Sequence, residues 1–164
     1  LSRGKYEWQA LAALAQALGD VRRLAWDLSL YTTQEYGFVR LPPEYTTGSS
    51  IMPNKRNPDV VELLRASVAP VHGAMIELQS LLSLPSGYQR DLQLLKAPLF
   101  RGIDVALQSL DIMAAAVGAV RFRRESISLD PAIHAAEEAN ALVVAEGVPF
   151  REAYRRVATR LRKE

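Results

Sequence analysis

The chain has 164 residues, a formal net charge of +2 and 49% hydrophobic residues, enough for one domain-sized core. It contains no cysteine, which excludes disulfides and thiolate metal sites and suits a reducing compartment. No apolar run approaches the roughly 20 residues of a membrane span, so we expect no membrane partner. The basic tail at residues 151–163 does not alternate basic with aromatic residues as a stacking surface does. This pattern favours a solvated helix face over nucleic-acid binding.

Three long stretches repeat apolar residues at every third or fourth position. Such spacing puts the side chains on one narrow stripe of a helix, which is typical of near-parallel packing in a bundle. No stretch sustains the alternation expected of a strand. We therefore predict an all-α fold with long helices, whose core-facing stripes are Leu11, Leu14, Leu18, Val21, Ala25 and Leu28; Val61, Leu64, Val68, Val71, Met75, Leu78 and Leu82; and Leu99, Ile103, Ala106, Leu110, Met113, Val117 and Val120.

Prolines mark the second helix. Asn57 followed by Pro58 predicts an N-cap with proline at the first helical position. Pro70 lies within this helix and should kink it, because proline removes one hydrogen-bond donor and crowds the preceding turn. Residues 84–87, which contain a proline and a glycine, are expected to end the helix.

The C-terminal part of the chain predicts a small helical unit. Asp130 and Pro131 repeat the helix-start signal, Gly147 can end that helix, and Pro149 begins a last basic helix. We expect two domains: residues 1–124, part of a central helical bundle that includes a loop at residues 31–57, and residues 125–164, a small helical domain.

The helical pattern stops between residues 31 and 57, where polar and glycine residues accumulate. A loop this long in a compact helical protein is usually functional or disordered, and its three aromatic residues argue against disorder. Ser49 can act as a base only if backbone N–H groups stabilise its alkoxide in a water-poor site. Lys55 and Asn57 fall beside a helix N-terminus, where an anion such as a carboxylate is favoured. For isolated residues, a capped Gly/Ser loop with a solvated lysine would be the better interpretation.

The complete string at residues 48–57 resembles the G-S-x-x-M-P-x-K-x-N signature of the fumarase/aspartase superfamily. Flanking segments narrow the resemblance to argininosuccinate lyases. They are LSLYTTQEYGFV at residues 28–39, LPSGYQRDLQLLK at residues 84–96 and GVPFREAY at residues 147–154. The resemblance covers most of the chain and implies part of a long-helix bundle of the fumarase/aspartase type with a small helical C-terminal unit.

The resemblance also implies roles for seven residues. Ser49 matches the general base, while Lys55 and Asn57 match residues that hold the succinyl carboxylate and its carbanion-like intermediate. Glu62 matches a carboxylate that orients a catalytic histidine contributed from elsewhere. The remaining three match positions that contact argininosuccinate, namely Tyr88, Gln93 and Lys96.

The implied reaction is elimination, in which argininosuccinate gives fumarate and arginine, and it uses no metal and no organic cofactor. Enzymes of this family are cytoplasmic homotetramers whose active sites combine segments of three subunits. Their Arg/Asn-rich loop and catalytic-histidine segment are missing from this chain. We therefore expect a piece of a lyase that has an incomplete active site and no significant activity alone.

Structural explanations compete at several positions. Glu62 can simply pair with Arg65 three residues on, Tyr88 can anchor a loop, and Gln93 and Lys96 can be ordinary surface residues. Two leucines, Leu94 and Leu95, replace the acidic pair usual before the family's lysine. The alternatives are a sibling lyase acting on another succinyl-type substrate and a non-catalytic structural bundle.

Overall fold

Helices account for almost all regular structure in the computed structural model, which describes residues 4–81 and 87–162. The predicted all-α class, with long helices, is confirmed. Short 3₁₀ turns lie at Pro43–Tyr45, Arg90–Leu95, Arg124–Ser126 and Pro131–His134. In chain order the other elements are α1 (Lys5–Tyr31), β1 (Val39–Arg40), α2 (Asp59–Ala66), α3 (Val68–Leu81), α4 (Lys96–Ala119), β2 (Arg121–Phe122), α5 (Ala135–Glu146) and α6 (Phe150–Leu161).

The first helix buries the stripe that its spacing predicts. Leu11, Leu18 and Ala25 are fully buried, and Leu14 alone of the predicted series is only partly buried. Each fully buried leucine contributes about 1.5–3 kcal/mol relative to an exposed one, so this stripe is the main source of packing energy for α1. The helix contacts α2, α3 and α4, which places it at the centre of the bundle.

The second predicted helix is two helices, α2 and α3, and the break falls at Ser67 rather than at Pro70. Pro70 has no N–H to donate to the carbonyl of Ala66, and its ring crowds that carbonyl. Both effects act one turn before the proline, which is where the helix is interrupted. The Ser67 hydroxyl donates to Leu64 O at 2.9 Å and satisfies one carbonyl at the break.

The predicted cap at Asn57 is wrong. The helix begins at Asp59, and no side chain caps it. Asn57 instead pairs with Thr47 in an antiparallel bridge, with Asn57 N–H donating to Thr47 O at 2.8 Å and Thr47 N–H donating to Asn57 O at 3.0 Å. Its backbone therefore closes the loop, and a residue held in an extended bridge does not serve as the helix cap.

The buried stripe of α4 lies about one residue away from the predicted one. Val117 is 48% exposed, and Leu99, Ile103 and Leu110 are only partly buried. Small residues fill the inner face instead, because α4 approaches its neighbours closely. Its buried residues are Pro98, Gly102, Ala106, Ser109, Met113 and Ala116.

By length and composition alone, the helical stretch Arg90–Ala119 is apolar enough to cross a membrane. This differs from the sequence expectation, which counted uninterrupted apolar runs. A core helix of a soluble protein passes the same test. Since α4 packs against both α1 and α3, this stretch is interpreted as a core helix.

Contacts between neighbouring helices show whether the helices run parallel or antiparallel. Arg101 of α4 pairs with Glu77 of α3, and Gly102 lies beside Ala74, so α3 and α4 run antiparallel. The β1 strand that follows α1 pairs with the β2 strand that follows α4, so α1 and α4 end at the same end of the bundle. This two-stranded pairing is too short to show in the sequence pattern.

The described helices divide between two compact units, Leu1–Ser126 and Ile127–Glu164. In the second unit the Asp130 side chain accepts from Ala132 N–H at 2.8 Å, and a 3₁₀ turn then leads into α5. Gly147 ends α5 with φ of 66°, and α6 begins directly after Pro149. These boundaries follow the sequence signals, whereas the domain boundary near residue 125 in the whole protein stays a prediction. Leu82 and residues 84–86 of the predicted helix end lie outside the described residues.

Candidate active site

The loop at residues 48–56 is closed at its base by contacts from one threonine. Besides the backbone bridge to Asn57, the Thr47 hydroxyl donates to Asp59 Oδ2 at 2.5 Å. Thr47 thus ties the start of the loop both to its end and to the first residue of α2. Sequence reasoning missed both partners, because residues 10 and 12 positions apart in an irregular segment show no periodic signal.

Ser49 accepts two backbone hydrogen bonds within this loop. Its Oγ accepts from Ile51 N–H at 3.3 Å and from Met52 N–H at 3.2 Å. Both donors point at the atom that would carry negative charge in a serine base, which is the arrangement such a base requires. The surroundings are open, however, since Ile51 is 88% exposed. The water-poor condition must therefore come from another surface.

Lys55 is exposed, and its backbone N–H donates to Met52 O at 3.1 Å in the turn before Asn57. The two side chains that were predicted to hold a carboxylate therefore lie beside α2, two and four residues before it begins. The positive end of this helix is partly offset by Asp59 and Glu62 in its first turn. Lys55 is consequently one of the two positive side chains, with Arg56, that this part of the loop offers to an anion.

Glu62 makes the local ion pair that the structural explanation predicts. Its Oε1 lies 3.7 Å from Arg65 Nη2, and the side chain is 46% exposed. The Arg65 guanidinium stacks over the Trp26 ring of α1, 4.2 Å from the ring centroid. These contacts hold Arg65 and, through it, limit the positions open to Glu62. The contribution of Trp26 was not visible in the sequence, since α1 and α2 meet only in the fold.

Tyr88, Gln93 and Lys96 form a second group. The Gln93 amide donates to the Tyr88 hydroxyl at 2.5 Å, and Lys96 is the first residue of α4. All three side chains are exposed. The two leucines before Lys96 differ in burial, since Leu95 is buried in the core and Leu94 is 62% exposed. The structure therefore brings these three predicted residues together at one end of α4.

The two groups of predicted residues lie at opposite ends of the bundle. Lys96 is six residues before Gly102, which contacts Ala74, and Glu62 is twelve residues before Ala74 on the antiparallel partner. At 1.5 Å per helical residue, Glu62 and Lys96 are separated by roughly 25 Å along the bundle. A succinyl-type substrate cannot span that distance. One copy of the chain therefore cannot bring all seven residues to one substrate.

Within residues 4–81 and 87–162, no three His, Asp or Glu side chains lie close enough together to hold a metal ion. Near the loop, Glu62 instead pairs with Arg65, and Asp59 accepts a hydrogen bond from Thr47.

Comparisons with known proteins support the resemblance that the sequence motifs suggest. A family model described as a lyase matches residues 5–73. The chain is 51% identical over 160 residues to argininosuccinate lyase of Xylella fastidiosa (strain Temecula1), covering 96% of this chain and 36% of that protein. It is 53% identical over 162 residues to argininosuccinate lyase of Sorangium cellulosum, covering 98% and 37% respectively. The chain thus spans about a third of the length of these relatives.

Solved structures share the fold. EDDS lyase in complex with formate is 25% identical with a TM-score of 0.71, covering 94% of this chain and 31% of that one. A fumarate lyase from Mesorhizobium sp. BNC1 is 22% identical with a TM-score of 0.68, covering 93% and 34%. The second likeness shows the fold alone, which is the helical bundle predicted from the sequence. Together, the sequence matches and these likenesses show that the chain is similar to about a third of an argininosuccinate lyase and shares the helical fold of these lyases.

Proposed function

We propose that the whole protein is a carbon–nitrogen lyase that converts argininosuccinate into fumarate and arginine in the cytoplasm, as a step of arginine biosynthesis. The observation that carries the proposal is the pair of N–H groups directed at Ser49 Oγ. Sequence identity of about one half to argininosuccinate lyases over nearly the whole chain supports the choice of substrate.

In the proposed reaction Ser49 removes a proton from the carbon next to a succinyl carboxylate. The electron pair left behind forms the double bond of fumarate as the C–N bond breaks and arginine leaves. Lys55 and Asn57 bind the carboxylate next to that carbon, which becomes more negative as the proton is lost. Their contacts therefore strengthen in the transition state, which is the condition for catalysis rather than simple binding.

The second group, Tyr88, Gln93 and Lys96, binds the same substrate from a different copy of the chain. Support for this comes from the separation of the two groups, roughly 25 Å along the bundle at helical rise. The second group is exposed, and in the first group Lys55 and Glu62 are exposed while Ser49 and Asn57 are half-buried. A homotetramer with active sites shared between subunits satisfies both conditions. Neither a metal nor an organic cofactor takes part in the proposed reaction, and neither a nucleic acid nor a membrane is a proposed partner.

The test is a substrate panel on the whole protein, with fumarate release measured for argininosuccinate, adenylosuccinate and aspartate, and fumarate formation by dehydration for malate. We expect turnover on argininosuccinate at least a hundred times that on the other three. Activity restricted to one of the other substrates would identify a sibling lyase. A folded protein without activity on any of them would identify a structural bundle.

A further inference from the structure

A small pocket lies at the base of the loop, on the side of β1. Its volume is about 160 Å³, which gives room for an ion the size of phosphate or a short dicarboxylate. Arg40 of β1 and Arg56 of the loop both line it, and the buried side chains of Val39 and Leu41 belong to its wall. The pocket therefore combines an apolar wall with two guanidinium groups.

Neither arginine has a partner within the described parts of the chain. The ion pairs and side-chain hydrogen bonds found there engage other arginines, such as Arg65, Arg101 and Arg123, and leave Arg40 and Arg56 without an acceptor. Two threonine hydroxyls also line the pocket, but both of their protons are committed: Thr32 donates to Ser29 O and Thr46 to Pro43 O. The hydrogen-bond donors left for a ligand are therefore the guanidinium N–H groups.

A third arginine adds to the local positive charge. Arg121 of β2 lies directly opposite Arg40 in the two-stranded pairing. Like charges in that position are destabilising, and Arg121 has no carboxylate partner among the described residues either. The adjacent Arg123 differs, since Glu125 lies 3.1 Å away. A backbone hydrogen bond and then the Arg123 contact hold the pKa of Glu125 below its ordinary value.

We propose that this pocket is an oxyanion-binding site, distinct from the site of Ser49, that takes a phosphate or carboxylate group between Arg40 and Arg56. The planar guanidinium group presents paired N–H donors that match either kind of oxyanion. A bound anion would also neutralise the repulsion between Arg40 and Arg121. The site requires only residues of this chain, so it does not depend on the proposed lyase activity.

The experiment is calorimetric titration of the whole protein with inorganic phosphate and, separately, with fumarate, at low ionic strength. The wild type is compared with Arg40→Gln, Arg56→Gln and Lys55→Gln. Arg151→Gln is the matched charge control, because Arg151 is an exposed arginine of α6 and does not line this pocket. Thermal unfolding of each variant without added anion checks the fold. Since Arg40 faces Arg121, we expect Arg40→Gln to unfold at or above the wild-type temperature.

We expect saturable binding of at least one of the two anions, weakened at least tenfold in both Arg40→Gln and Arg56→Gln. Phosphate binding should change less than twofold in Lys55→Gln, and binding of either anion should change less than twofold in Arg151→Gln. The anion that binds more tightly identifies the class of ligand. The proposal is overturned if the wild type binds neither anion or if Arg40→Gln binds as the wild type does. It is also overturned if Lys55→Gln abolishes the phosphate binding that Arg40→Gln retains.

Discussion

Ser49 illustrates how a weak base can be prepared by backbone groups alone. A serine hydroxyl gives up its proton only if the alkoxide is stabilised, and two N–H groups are directed at its oxygen. Their lengths of 3.2 and 3.3 Å lie at and just beyond the long end of the usual range for N–H···O hydrogen bonds. Catalytic hydrogen bonds often tighten only when substrate is bound, so the loop is expected to compact around a ligand.

Replacing this serine gives the sharpest test at the scale of a single residue. We expect Ser49→Ala to lower kcat of the whole protein by about 10²–10⁴, the usual contribution of a general base, with little change in KM. The measurement is steady-state fumarate release. Ser50→Ala is the matched control, since Ser50 is the exposed neighbour in the same loop, and it should retain most of the activity. Near-normal turnover by Ser49→Ala would remove Ser49 from the mechanism.

At the scale of elements, close contact between helices depends on one glycine. A Cβ atom added at Gly102 of α4 would lie 2.8 Å from Leu11 Cδ2 and 3.3 Å from the Ala74 Cβ. Leu11 and Ala74 are both fully buried, so neither has free space into which to move. Gly102 therefore lets α4 pack against α1 and α3 together, and it accounts for the shift of the buried stripe from the predicted one.

A pair of variants on α4 tests this contact. We expect Gly102→Val to reduce the free energy of unfolding by about 1–3 kcal/mol, the usual cost of overpacking a core. Gly118→Val is the matched control on the same helix, because nothing lies within 4 Å of a Cβ there, and it should be neutral or slightly stabilising. Urea unfolding followed by circular dichroism measures both. Equal effects for the two variants would show that the contact at Gly102 is unimportant.

At the scale of the whole molecule, the separation of the two candidate groups decides what a single chain can do. With Glu62 and Lys96 roughly 25 Å apart along the bundle at helical rise, acid–base groups and substrate contacts cannot meet in one copy. Copies of the chain could still bring the two groups together, but the chain spans only about a third of the length of its relatives. We therefore expect the 164-residue chain by itself to release no measurable fumarate from argininosuccinate. The assay is the one used for the whole protein, at equal molar concentration. Sustained turnover by the chain alone would show that this third of the relatives' length is sufficient for the reaction.

Mixing two inactive variants of the whole protein tests the sharing of sites between copies. Ser49→Ala and Lys96→Gln each remove one group, and each is expected to be nearly inactive. If the two groups come from different subunits, random reassembly restores about a quarter of the sites. We expect activity to return after the variants are unfolded and refolded together, but not when they are refolded apart. No recovery on joint refolding would indicate that both groups act within one copy.

Local patterns in the sequence were sufficient to predict many of the helix boundaries and the candidate loop of this protein. The stripe of α1, the glycine that ends α5 and the proline before α6 follow from rules that act within a few residues. The loop signature was also readable, because its residue types stand at fixed spacing in one short segment. Matches of about one half identity over nearly the whole chain then support the family that those motifs suggested.

Only the tertiary structure decided which residues meet across helices. Three contacts join segments whose sequence patterns do not predict that they meet. These contacts are Gly102 with Leu11, Arg65 with Trp26, and Thr47 with Asp59. The break at Ser67 and the bridge at Asn57 likewise corrected expectations based on local signals alone. Helical periodicity specifies which face is apolar, whereas the distance between helices depends on the side chains of both partners. For the same reason, the sequence predicted all seven candidate residues, but the fold showed that they form two separate groups.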